Sequence, residues 1–123
     1  MQDFHQVNVW KKADGLVLRV YRVSNDLPPS ENFGLSLNLR RSVVVIARCI
    51  AEGAGRGSDF EFAVELKKAR AAGHDLEYIL LLCRDLGFLP EPLHAELNAE
   101  VLEVRKMISG LVKRISGDSD TLR

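Results

Sequence analysis

Along four stretches of the chain, apolar residues recur every three or four positions, the period of a helix that turns one face from water. From Phe4 to about Ser24, Trp10, Ala13, Val17, Val20 and Tyr21 share a stripe, flanked by Val9, Leu16 and Val23. From Phe33 to about Glu52, Leu35, Leu39, Val43, Ile46 and Ile50 fall within a narrow arc. The run Val43-Val44-Val45-Ile46 has the composition of a strand, but the spacing over the whole segment follows 3.6 rather than two and predicts a helix. In the third segment Phe62, Leu66, Ala69, Gly73, Leu76, Leu80 and Cys83 step by four and three without a break. Ser58 and Glu61 have the capping-box spacing at its start, and Gly87 suits the left-handed position beyond its end. A helix of about 28 residues, roughly 42 Å long, is expected there. Leu97, Val101, Val104, Ile108, Leu111 and Ile115 repeat the pattern in the fourth segment, which opens at Glu91-Pro92 and carries Lys113 and Arg114 near its end.

Helix-breaking residues separate these segments: Pro28-Pro29, then Gly53-Ala54-Gly55-Arg56-Gly57, then Gly87 with Pro90 and Pro92. Short connections between long helices force neighbours to run in opposite directions. The expected fold is therefore all-α, an antiparallel up-down-up-down four-helix bundle over residues 1–117, with 118–123 as a polar, frayed tail.

The second and third helices carry more apolar surface than one buried face requires. Leu37, Val44 and Ala51 lie opposite the first stripe of helix two; Phe60, Val64, Ala71, Tyr78 and Leu82 lie opposite that of helix three. Burying one large apolar side chain is worth about 1.5–3 kcal/mol, so leaving both second stripes wet would forgo on the order of 10 kcal/mol. Self-association through these residues is the expectation; the alternative is that helices two and three are central and covered on both sides.

Composition narrows the class without naming a function. With 46% apolar and 28% charged residues the chain suits a soluble globular domain. Seventeen Lys and Arg balance seventeen Asp and Glu, so no global charge draws it to a polyanion, and nucleic-acid binding would need a local patch. Cys49 and Cys83 sit in apolar stretches and read as buried thiols of a reducing compartment. No apolar run approaches a membrane span, and the first residues lack the pattern of a secretory leader, so a cytoplasmic location is expected, with no membrane partner.

Several blocks are shared with a known family. Phe4-His5-Gln6-Val7-Asn8-Val9-Trp10-Lys11-Lys12-Ala13, Phe33-Gly34-Leu35, Leu39-Arg40-Arg41, Ile50-Ala51-Glu52-Gly53-Ala54-Gly55-Arg56, Glu61-Phe62 and Arg84-Asp85-Leu86-Gly87-Phe88-Leu89 resemble the four-helix bundle proteins encoded in intervening sequences of 23S rRNA genes. The resemblance implies a bundle that assembles as a homopentamer. A related branch, the accessory proteins of diversity-generating retroelements, implies possible partners in RNA or in a nucleic-acid-processing protein such as a reverse transcriptase. The chain departs from the pattern where Asn38, Val45, Cys49 and Ile79 replace polar residues of the family, and at Ala47 and Ala71-Ala72.

Arg40, Arg41, Arg48 and Arg56, with Lys67 and Lys68 and neighbouring Arg70, form the best basic cluster; Arg41 and Arg48 share a face at i, i+7. Repeated around an oligomer, that face would present phosphates with a cationic surface. The plainer reading is solvated charge, since Arg48 and Glu52 are an i, i+4 pair and Lys67 has Glu61 and Glu65 nearby, and this balance favours it. The aromatics fall mostly on apolar stripes, so no base-stacking set is expected. Gly53-x-Gly55-x-Gly57 lacks the preceding strand and the Lys-Ser/Thr pair of a phosphate loop and reads as a helix end. His74 with Glu77, and Glu91-x-x-His94, have metal-ligand spacing, but a di-iron bundle needs that motif twice with two more inward carboxylates. No metal, cofactor or enzymatic activity is expected.

Overall fold

The computed structural model describes residues 3–116, so the predicted tail at 118–123 lies outside the described residues. Within them there are four α-helices and no strands: α1 spans Asn8–Ser24, α2 Leu35–Gly55, α3 Asp59–Asp85 and α4 Glu91–Ser116. Short 3-10 turns at Phe4–Gln6 and Pro29–Glu31 precede α1 and α2. The β-branched run at 43–46 is helical, with Val43 and Ile46 in the core, because a helix lets the whole segment bury one continuous arc.

Local chemistry sets the ends of α3. The Ser58 hydroxyl accepts from the Glu61 backbone N–H at 3.1 Å, supplying a partner to a helix-start amide. At the other end Gly87 adopts φ 81°, and the amides of Gly87 and Phe88 donate to the carbonyls of Arg84 and Cys83 at 3.0 and 2.9 Å. That crossed pair is the Schellman closure, which needs a residue without Cβ strain at its centre.

The end of α2 differs from expectation. The helix runs through Gly53 to Gly55 instead of stopping at Glu52, and the turn falls at Gly57, φ 95°. Gly53 breaks nothing; it permits contact. A Cβ there would lie 2.8 Å from Phe62 Cδ1 and 2.9 Å from Glu65 Cβ, so its absence is what lets α2 and α3 approach this closely beside their connection.

Each helix packs on its sequence neighbours, and α1 also meets α4. Contacts run in reversed order along the pairs. Ser42 bonds Asp75 while Gly53 meets Phe62 and Glu65; Arg70 reaches Ser109 while Glu77 reaches Arg105; Lys12 pairs with Glu103 while Arg19 pairs with Glu96 and Glu100. This pattern is compatible with the up-down arrangement. The core collects the predicted stripes: Leu39, Val43, Ile46 and Ile50, all seven named residues of α3, and Leu97, Val101, Val104 and Ile108 are buried. Leu35, Leu111 and Ile115 are only half-buried, and Val112 takes the inward place at the end of α4.

The stripe of α1 needs correction. Its buried line is Val9, Ala13, Leu16, Val20 and Val23, whereas Trp10 and Val17 are half-buried and Tyr21 is 42% exposed. One residue along a helix is a rotation of 100°, so centring the arc on Leu16 and Val20 carries Tyr21 past its edge. No described helix is long and apolar enough to cross a membrane.

Candidate nucleic-acid interface and outward apolar face

The six candidate cations do not form one cluster, because the fold gives them different partners. Arg40 is a structural clamp: its Nε donates to Ser24 Oγ at 2.8 Å, its Nη2 to Asn25 Oδ1 at 2.9 Å, and its guanidinium carbon lies 5.7 Å from the centre of the Tyr21 ring. Arg56 approaches Glu52 at 3.9 Å, so Glu52 pairs with Arg56 and not with Arg48 as the i, i+4 spacing suggested. Lys68 pairs with Glu65 at 3.0 Å. Glu65 itself is buried, an inward carboxylate at a position the core stripes did not include. Lys67 lines a shallow recess with Phe60, Val64 and Ile115.

Arg41 and Arg48 remain exposed on α2, two turns apart, without an ion-pair partner among the described residues. They border an open groove of about 440 Å³ whose floor and wall include Tyr21, Leu37, Val44 and Val45. The sequence assigned Leu37, Val44 and Ala51 to subunit contact and Arg41 and Arg48 to nucleic acid. Positions 37, 41, 44 and 48 are spaced by four and three, so they share one face, and the structure merges the two assignments. Leu37, Val44 and Ala51 are also half-buried rather than exposed, which weakens their claim as a separate apolar stripe.

On α3 the second stripe is turned outward. Phe60 is 77% exposed and Tyr78 61%, with Val64 and Ala71 between them also exposed. Leu82 is half-buried, and the exposed Leu81, which the sequence reading omitted, extends this face instead. Val45 and Leu81 are thus surface residues that the outward stripes left out, and Tyr21 is one that periodicity placed in the core.

Two further polar pairs link helices. Ser42 Oγ donates to Asp75 Oδ2 at 2.8 Å, and Arg105 pairs with Glu77 between α4 and α3. His94 is buried at the start of α4, whereas Glu91 and His74 are exposed, and no three His, Cys, Asp or Glu side chains among the described residues gather at metal-binding distance. Burial pushes the Cys83 thiol up to about 11, with the charge of Glu31 adding to it. Cys49 is raised as well, first by burial and then by Glu65 and Glu52. The thiolate is the nucleophile, and a raised value leaves it scarce until the pH exceeds that value. Iodoacetamide at about pH 8 is expected to leave both cysteines unmodified in the native protein and to label both in denaturant, read by intact mass.

A helical bundle with one exposed aromatic-aliphatic face and one arginine-bordered groove is the class of protein that these features define. The chain belongs to the 23S rRNA-intervening sequence protein family, whose model matches residues 5–110. Its structure is similar to that of a protein of unknown function from the S23 ribosomal protein family of Bacteroides thetaiotaomicron. The TM-score is 0.80 at 22% identity, over 85% of this chain and 95% of that one. No curated protein matches the chain.

Proposed function

We propose that the chain is a non-enzymatic, self-associating antiparallel four-helix bundle that acts as a scaffold for nucleic acid. Five subunits is the count that the family resemblance implies. The observation that carries self-association is the outward face of α3, where Phe60, Val64, Tyr78 and Leu81 leave apolar area in water along one side of a rigid helix. A second copy of the chain is its occupant. Fully burying an exposed large apolar side chain is worth about 1.5–3 kcal/mol; Phe60 and Tyr78, 77% and 61% exposed, have most of that to gain, and Val64 and Leu81, 39% and 37% exposed, less than half of it. The nucleic-acid role is supported by Arg41 and Arg48, which are exposed, make no ion pair among the described residues and recur with every subunit.

Light scattering at micromolar concentration tests the assembly. Wild type is expected at a multiple of the single-chain mass, and Val64→Glu with Tyr78→Glu at the monomer mass with its helical circular dichroism intact. A monomeric wild type overturns the proposal. Gel shifts across a salt series test the second part: retardation should weaken with salt and with Arg41→Ala plus Arg48→Ala. A second reading, a protein-interaction scaffold with no nucleic-acid role, draws on the engagement of Arg40, Arg56 and Lys68 by other side chains. Oligomers that retard no RNA or DNA at low salt would establish it.

A further inference from the structure

We infer that the groove between α1 and α2 takes single-stranded nucleic acid in preference to duplex, with a base stacked on Tyr21 and the flanking phosphates on Arg41 and Arg48. This rests on the nucleic-acid reading above and specifies its substrate. The composition of the groove carries it. Cations that only neutralise a duplex backbone need no apolar surface between them, since a duplex keeps its bases stacked inside and offers phosphate and sugar outward. Here Val44 and Val45 lie between the two arginines and Leu37 one turn before Arg41, and the groove they line is completed by Arg40 and the exposed ring of Tyr21. A duplex lying across Arg41 and Arg48 would leave that lining wet. An unstacked base would cover it.

Tyr21 is suited to the task by the way it is held. The Arg40 guanidinium lies over one face of the ring and is itself fixed to Ser24 and Asn25, so that face is taken, the ring is held in place, and a base stacks on the opposite face of a side chain that stays 42% exposed. Every base has a π face, so stacking on one tyrosine is tolerant of sequence, and Arg41 and Arg48 contribute charge about 10.5 Å apart along the helix axis. Base stacking and phosphate charge, on which the groove relies, are indifferent to the 2′-hydroxyl, so single-stranded RNA and single-stranded DNA share the chemistry that it recognises.

Fluorescence anisotropy with labelled oligo-uridine, oligo-thymidine and a hairpin duplex of equal length tests this on the full-length protein. Both single strands are expected to bind at least roughly tenfold more tightly than the duplex. Tyr21→Leu should weaken single-strand binding roughly five- to hundred-fold without changing its salt slope, and Tyr21→Phe should keep wild-type affinity. Arg41→Ala should instead lower the salt slope by about one. If the duplex binds as tightly as the single strands, or if Tyr21→Leu binds normally while the arginine variants do not, this inference fails and the broader nucleic-acid reading stands. If wild type binds no oligonucleotide, both fail. Should Tyr21→Leu lose helicity, the wild-type ratio of single-strand to duplex affinity decides alone. Preference for one single-stranded sugar over the other would overturn only the stated indifference to the 2′-hydroxyl.

Discussion

Leu66→Ala is expected to lower the free energy of unfolding by about 2–5 kcal/mol, measured by urea denaturation followed by circular dichroism. Leu66 is 0% exposed about two turns into α3, on the face that carries its buried stripe. Truncation removes the transfer energy of its methyls and leaves a cavity that helices held by many other contacts cannot collapse to fill. Phe60→Ala is the matched control on the same helix. Phe60 is larger but faces outward, so its loss should leave the folding of the single chain within about 0.5 kcal/mol and appear as weaker self-association. An equal loss of stability from both variants would mean that the two faces of α3 have been assigned wrongly.

Gly53→Ala should destabilise the protein by about 1–3 kcal/mol, although alanine is the better helix former. The added methyl meets Phe62 and the Glu65 Cβ well inside contact distance, and neither is the far end of a flexible chain, so α2 and α3 must separate. Gly110→Ala should do the opposite. Gly110 lies within α4, and nothing stands within 4 Å of where its Cβ would be. There the substitution only reduces the freedom of the unfolded chain, raising stability by about 0.5–1 kcal/mol. Thermal or urea melts of the two variants should therefore shift in opposite directions. A stabilised Gly53→Ala protein would show that the close crossing of α2 and α3 has no energetic weight.

These contrasts also mark how far the sequence could be read. The four-three stepping through Phe62, Leu66, Leu76, Leu80 and Cys83 named residues that are all buried, though it left out Ala63, Glu65 and Ile79, and Ser58 and Gly87 identified the ends of α3. Those features are local. A cap needs an oxygen three residues from an amide, and a buried arc needs only the helical period. The basic cluster was less legible. Arg40, Arg41 and Arg48 look equivalent in the chain, yet Arg40 is held by Ser24 and Asn25, which precede α2 by a whole connection, while Arg41 and Arg48 are left at the groove.

By itself, then, the sequence determined that the chain is helical, where its segments divide, and which arcs of α2, α3 and α4 are shielded, because periodicity and capping act within a few residues. Tertiary structure decided that α2 continues through Gly53, that Glu65 lies inside, that Tyr21 stands at the rim beside Arg40, and that the face of α2 carrying Leu37, Arg41, Val44 and Arg48 lies against that ring's groove. Each of these depends on how far one helix is rotated and how closely it lies against another. Those two quantities follow from the packing of all the side chains together, and no single segment encodes them.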